Sequence, residues 1–443
     1  MTIDYFYKIR KLVEEHHNMF KKSIPLIASE NIVSKAVKEL LISDFGHRYA
    51  EGWPGERVYA GCKYIDEVEL ITQELFKKLF EAEFVDVRPI SGVTANLAVY
   101  TAFTRPGDYM MSLSIAKGGH ISMGRSKFGG TAGAVHGLNV EYFEYDLDKF
   151  NIDVDGTIKK LNRLEGEGKQ VKLAYFGGSL ILFPHPVKEL SDELKNRGII
   201  VAYDAAHVAG LIAGGLFQDP LREGADVVSM STHKTFFGPQ RGAILSWREF
   251  EDVIKKAVFP GIVSNHHLHT LAGLAVATAE MLKYGKEYAS EVVKTSISLA
   301  EHLYNLGLDV LAPDLGFTRS HQVVVDVTKY GYGGDIERKL ERAGIIVNRN
   351  LLPYDPDRGL SFKNPGGIRL GVQEVVRIGM GPSDMIDVAK FIARVIVKGE
   401  DPSKVKNDVE EFRKRFNELR YSFSQSEEAY EYIKLVDGAA AGI

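Results

Sequence analysis

The sequence predicts an α/β protein, with a larger domain built on a mainly parallel sheet covered by helices on both faces and a smaller α/β domain after it. Three observations carry this. From Asp66 onward, seven short apolar runs of strand length alternate with stretches of helical period, the pattern of a sheet buried on both sides. Turn residues close the runs, as Ser91-Gly92 and Gly238-Pro239 do. The length of 443 residues, 45% hydrophobic and 26% charged, suffices for two or three domains with a full core.

Taken in order, Tyr5, Ile9, Leu12, Val13, His16 and Met19/Phe20 recur at helical spacing, so residues 1–45 read as an amphipathic helix and an arm. Residues 46–284 form the expected large domain, opened by the glycine-rich loop Gly46–Gly61. Its strands are expected at Val85–Pro89, Tyr109–Ser114, Val140–Tyr145, Val171–Phe176, Ile199–Tyr203, Val227–Met230 and Ala243–Trp247. Helices are expected at Glu67–Phe80, Thr94–Phe103 and Val187–Arg197. Residues 285–400 form the small domain, with helices Ala289–Asn305, Asp335–Ala343 and Ser383–Val397 and a strand at Gln322–Val327. Residues 401–443 hold a charged helix over Lys404–Arg420 and a frayed end at Asp437–Ile443.

Composition excludes several functions. A net charge of −4 gives no electrostatic case for nucleic acid or an anionic membrane. One cysteine, Cys62, excludes an intrachain disulfide framework, and no apolar run has the length of a membrane span. The N-terminus lacks the apolar core of a signal peptide, so a cytoplasmic protein is expected. No glycine-rich nucleotide motif is present, and His266-His267-x-His269 has no carboxylate or cysteine spaced to complete a metal site. No metal is expected.

The chemistry gathers at strand ends. Lys234 follows the run Val227–Met230 after Ser231-Thr232-His233, just past a carboxyl end, where open α/β sheets place their ligands. A lysine taken partly out of water has a lowered pKa and becomes a usable nucleophile, as Schiff-base chemistry requires. Asp204 closes the run Ile199–Tyr203. A carboxylate and a lysine so placed is the arrangement pyridoxal phosphate enzymes use, the first pairing with the ring nitrogen and the second holding the aldehyde. Ser91-Gly92-Val93 falls where a strand turns into a helix, which suits a phosphate as well as an ordinary N-cap. Arg369, in Gly-Ile-Arg-Leu-Gly, lies in an apolar strand, a setting for a carboxylate-binding guanidinium rather than a surface ion pair.

Nine motifs in unbroken order resemble the serine hydroxymethyltransferase family, a group of fold-type-I pyridoxal phosphate enzymes. They are LIASEN (Leu26–Asn31), YAEGWPGERVYAGCKYID (Tyr49–Asp66), SGVTAN (Ser91–Asn96), AKGGH (Ala116–His120), YDAAHVAGL (Tyr203–Leu211), STHKT (Ser231–Thr235), AVFPG (Ala257–Gly261), VNRN (Val347–Asn350) and GGIRLG (Gly366–Gly371). The resemblance implies transfer of the hydroxymethyl group of L-serine to a reduced pterin, giving glycine and the methylene-carrier. It further implies that Lys234 holds the cofactor, Asp204 its ring nitrogen, and His120 stacks on the ring. Ser179 and His207 would flank the phenolic oxygen, with Ser91, Gly92, Val93, Ser231, His233 and Gly261 also at the cofactor. Relatives usually carry serine where Val93 stands. Ser29, Tyr59 and Arg369 would meet the amino acid, and Glu51 would be the acid/base at the hydroxymethyl oxygen. Without the resemblance Glu51 is one of 59 acidic residues with nothing to single it out.

Glu51, Gly118, Gly119 and Asn350 would bind the pterin, and a homodimer would share the Tyr59 loop and the Phe259-Pro260-Gly261 turn between subunits. Two other readings remain: a threonine-type 3-hydroxy amino acid aldolase, and a non-catalytic binding or scaffold protein, against which the set Lys234, Asp204, Arg369 and Glu51 argues. The surroundings of the pterin depart from the family: Lys117 replaces a common histidine, Thr94 a glutamine, and Ile262-Val263-Ser264-Asn265 a glycine run. The segment Leu351–Gly367 is longer than usual and holds Tyr354, Arg358, Phe362 and Lys363. These departures, and likeness to the archaeal branch, point to tetrahydromethanopterin rather than tetrahydrofolate as carrier.

Overall fold

In the computed structural model, which describes residues 2–424 and 426–436, the central element is a seven-stranded sheet. Its strands in chain order are β1 (Phe84–Asp86), β2 (Tyr109–Ser112), β3 (Asn139–Tyr142), β4 (Val171–Gly177), β5 (Ile200–Asp204), β6 (Val227–Ser231) and β7 (Gly242–Ser246). The spatial order is β1-β7-β6-β5-β4-β2-β3. Only β7 runs antiparallel to its neighbours, β6 and β1; β2–β3, β2–β4, β4–β5 and β5–β6 are parallel. Every residue of β6 and β7 is buried, as continuous apolar runs between two helical layers must be.

The helices are α1 (Thr2–Lys22), α2 (Lys63–Phe80), α3 (Gly92–Phe103), α4 (Val154–Gly166), α5 (Val187–Asn196), α6 (Leu268–Asn305), α7 (Gly333–Arg342), α8 (Met385–Ile396) and α9 (Pro402–Arg413), besides shorter turns. A second, four-stranded antiparallel sheet, within the residues expected to form the small domain, holds β8 (Asp309–Val310), β9 (Gln322–Asp326), β10 (Asn348–Asn350) and β11 (Gly367–Gly371), ordered β8-β9-β11-β10. Ile24–Pro25 pairs in parallel with Ile345–Ile346, which carries the following residues, Ser29 to Asn31, toward Lys234.

Several boundaries differ from the sequence reading. The helix expected at Ala289–Asn305 is the second half of the unbroken 38-residue α6, so a division at residue 284 cuts one helix rather than a linker. The helix passes through Gly285 in close contact with another segment: a Cβ on Gly214 would meet the Gly285 carbonyl at 2.5 Å. The run Val140–Tyr145 is divided, since Tyr145–Asp146 leaves the sheet to pair with Asn151–Ile152. The helix expected to reach Arg420 ends at Arg413, whose guanidinium turns inward to the carbonyls of Ser23 and Phe416. The apolar residues Tyr5, Ile9 and Leu12 of α1 are exposed rather than buried. Asp437–Ile443, read as a frayed end, lies outside the described residues. Among the described residues no helix is long and apolar enough to cross a membrane.

Candidate active site

The carboxyl ends of β5 and β6 and the start of α3 converge on a cavity of about 200 Å3, lined by Ser91, Gly92, Val93, His120, Asp204, His207, Ser231, His233 and Lys234, with Asn96 and Gly178. Lys234 Nζ donates to Ser231 Oγ at 3.2 Å. Burial lowers its pKa from 10.5 to about 8; Asp204 opposes the change and Arg369 adds to it. Asp204 accepts from Asn96 Nδ2 at 2.9 Å and from the Ala206 N–H at 2.9 Å. Asn96 also donates to Ser122 Oγ at 2.9 Å, and Ser122 approaches His120 Nδ1 at 2.7 Å. The Ser122 backbone N–H also donates to His120 Nδ1, at 3.1 Å, so that nitrogen is an acceptor and the proton of the ring is on Nε2. Burial lowers the His120 pKa, Asp204 opposing, so the ring is neutral near pH 7.

At the start of α3 the Ser91 hydroxyl caps the helix, accepting the Thr94 N–H at 3.1 Å. The N–H groups of Gly92 and Val93, which precede the first intrahelical bond, stay available to an anion. Gly92 keeps the helix start close to Ser231: a Cβ there would lie 2.3 Å from Ser231 Oγ and turn that hydroxyl aside.

A second cavity of about 450 Å3 shares His120 with the first and is lined by Gly119, Phe128, Ser179, Arg349, Asn350, Phe362 and Arg369, among others. Arg369 is 7% exposed and among the described residues has no carboxylate partner; its Nη1 donates to the Ser179 carbonyl at 2.6 Å and its Nε to Asn348 Oδ1 at 3.2 Å. Burial lowers even this guanidinium, to about 10. A buried arginine held only by neutral acceptors lacks an anion.

Other expected residues lie apart. Glu51, Tyr59 and Gly261 line neither cavity. Tyr59 is exposed, and Glu51 accepts from Ser264 Oγ at 2.7 Å, so this loop packs on the segment after Gly261. Ser29 lines a separate cavity of about 590 Å3 with Asn31 and His233. Gly118 meets the Ser179 loop, where its carbonyl accepts the Ser179 N–H at 2.7 Å. Of the four residues expected from Leu351–Gly367 only Phe362 reaches the second cavity; Tyr354 and Arg358 bind Asp326 at 3.1 and 2.8 Å instead. A carboxylate at the end of β9 holds them, and adjacent Arg349 takes the place at the mouth. His266 is tied to Arg241 and Glu69, and among the described residues no three potential ligands gather as a metal site.

The family model of serine hydroxymethyltransferase matches residues 4–392 of this chain. The chain belongs to the serine hydroxymethyltransferase family. It is 56% identical over 428 residues to the serine hydroxymethyltransferase of Cenarchaeum symbiosum, covering 97% of both chains. With that of Nitrosopumilus maritimus the identity is 55%, over 97% of this chain and 98% of the relative. Among solved structures, L-threonine transaldolase from Pseudomonas fluorescens is similar at 30% identity and a TM-score of 0.85, covering 95% of this chain and 94% of the other.

Serine hydroxymethyltransferases are pyridoxal-phosphate-dependent enzymes of fold type I, and this chain is one of them. Its cavity fits that cofactor: a buried amine of lowered pKa, a carboxylate at the end of β5, a helix start cleared by Gly92, and His233 Nδ1, buried without a partner. Sequence reasoning had passed over Asn96, His321, Gln322 and Asn348, although Asn96 closes a quoted motif. Asn31 is another, donating to the Lys234 carbonyl at 2.6 Å. Its place in the motif SGVTAN was the available signal for Asn96; for Gln322 there was none.

Proposed function

We propose that the chain transfers the hydroxymethyl group of L-serine to tetrahydromethanopterin in preference to tetrahydrofolate, as a cytoplasmic homodimer with shared sites. The coarser activity, that of a serine hydroxymethyltransferase, follows from family membership. One observation carries the assignment of roles: Arg369, buried without an anion, stands beside the cavity that holds Lys234 and Asp204. Its fork would take the carboxylate of L-serine bidentately. Pyridoxal phosphate, when bound, supplies an aldehyde for the amino group and a pyridinium ring that withdraws electrons from Cα. Lys234, with its pKa near 8, has a fraction of neutral amine at pH 7 and would be the residue that holds the cofactor through its aldehyde. Asp204, oriented by Asn96 and the Ala206 N–H, would hold a proton at the ring nitrogen. Val93 brings no hydroxyl, so the N–H groups of α3 would carry more of the phosphate.

Glu51 and Tyr59 would move protons at the hydroxymethyl oxygen, but in a neighbouring subunit's site. Their absence from this chain's own cavity and the exposed apolar face of α1 support that sharing. The mouth cavity, with Asn350 and Gly119 beside Phe128 and Phe362, has the aromatic lining a pterin needs. That space favours a carrier-dependent transferase over an aldolase. The carrier preference rests on the departures at Lys117, Thr94 and residues 262–265. Measuring kcat/KM with L-serine and each carrier tests it, since that ratio reports differential transition-state binding. The expected preference for tetrahydromethanopterin exceeds about tenfold, or ~1.4 kcal/mol; a smaller one overturns the carrier assignment, and a rate independent of carrier overturns the transferase.

A further inference from the structure

We propose that Gln322 is a positioning residue that sets the tautomer of His207, making this histidine an Nε2–H donor to the cofactor cavity. Gln322 opens β9 in the small domain and is fully buried. Its Oε1 accepts the Ile181 N–H at 2.8 Å, and its Nε2 donates to the Ser179 carbonyl at 2.8 Å. A backbone N–H can only donate and a carbonyl can only accept, so these two groups orient the amide without ambiguity. The second hydrogen on Nε2 is then left for His207 Nδ1, 2.9 Å away.

His321 closes the other side of this nitrogen without offering it an acceptor. Its Nε2 lies 3.1 Å from the Ala28 carbonyl, which requires a hydrogen on that nitrogen, and 3.4 Å from His207 Nδ1. The two imidazoles stack nearly parallel, at 17°. With the Gln322 amide hydrogen directed at it and the protonated nitrogen of His321 beside it, His207 Nδ1 must be unprotonated. A proton placed there, in the other tautomer or in imidazolium, would set hydrogen against hydrogen in a buried site. Burial, with Lys234 and Arg369 adding to it, also keeps the ring neutral. The hydrogen therefore sits on Nε2, the ring nitrogen left to the cavity that His207 lines.

The same amide joins two parts of the site. The Ser179 carbonyl that accepts from Gln322 also accepts from Arg369 Nη1 at 2.6 Å. One small-domain side chain thus holds both the anchor of the carboxylate-binding arginine and the proton of the cofactor-facing histidine. The use of the Nε2–H, as a donor to an oxygen on the edge of the cofactor ring, rests on the proposed function. The tautomer stands in the cofactor-free chain as well.

The test is therefore made on full-length protein freed of cofactor and labelled with 15N in histidine, with the His207 ring signals assigned from their loss in His207→Asn. The expected spectrum at neutral pH has His207 Nε2 protonated and Nδ1 not. In Gln322→Glu the introduced carboxylate still accepts the Ile181 N–H but donates to nothing, and a proton is expected to move onto His207 Nδ1. Gln322→Met, which keeps the volume and removes the amide with both its hydrogens, should show a mixture of tautomers. A protonated Nδ1 in the parent overturns the proposal without any variant, and an unchanged Nε2–H in Gln322→Glu overturns the part played by Gln322. Absorbance titration of the same parent sample with pyridoxal phosphate is a separate readout: failure to bind would overturn the site assignment while leaving the tautomer as measured.

Discussion

Replacing Lys234 by methionine in the cofactor-free protein should raise stability at neutral pH, and the gain should vanish as the pH rises. The folded chain releases the Lys234 proton near pH 8, whereas the unfolded chain holds it to about 10.5. Between those values the unfolded state binds more protons, so the stability of the parent climbs with pH across that window. Below pH 8 the parent carries the full cost of a buried ammonium. The gap between the two pKa values corresponds to about 3 kcal/mol. Methionine has a similar length and no charge to desolvate, and contributions from every other titrating group cancel in the difference. Urea unfolding of both proteins, at one protomer concentration and at several pH values from 7 to 10.5, measures it. The expected advantage of Lys234→Met is about 3 kcal/mol at pH 7 and close to zero at the upper end. A difference independent of pH would refute the reasoning, because Lys234 would then titrate alike in both states.

Arg369→Ala should still form the borohydride-reducible link between cofactor and Lys234, yet bind L-serine roughly 10- to 100-fold more weakly, since a charge-assisted hydrogen bond contributes about 1.5–3 kcal/mol. Unchanged serine affinity, read from the absorbance change on titration, would move the carboxylate site elsewhere. Mixing inactive Lys234→Ala and Tyr59→Ala chains should restore activity, because each mixed dimer would contain one intact site. No recovery in mixtures shown to contain mixed dimers would refute shared sites.

What the sequence alone determined is local or short-range. Continuous apolar runs fall into the parallel sheet because such a run buries both of its faces, and a run that ends in Asp204 or Ser231 delivers its next residues to the carboxyl edge. The motifs around Lys234 were legible for the same reason: strand, short polar turn and return strand are neighbours in the chain. Family resemblance supplied Glu51, which no local pattern distinguishes. Only the tertiary structure could decide contacts between segments far apart in sequence. Gln322 and His207 are 115 residues apart, and Asn96 and Asp204 are separated by 108. Whether an amide orients a catalytic side chain or merely fills space depends on which donors and acceptors face it. The same holds for Tyr354 and Arg358, whose place at the mouth was lost to Asp326, a carboxylate about 30 residues away in the chain. Hydrogen bonds are directional and buried polar groups must be paired, so their partners are selected by the packed geometry of the whole fold rather than by the neighbours a sequence displays.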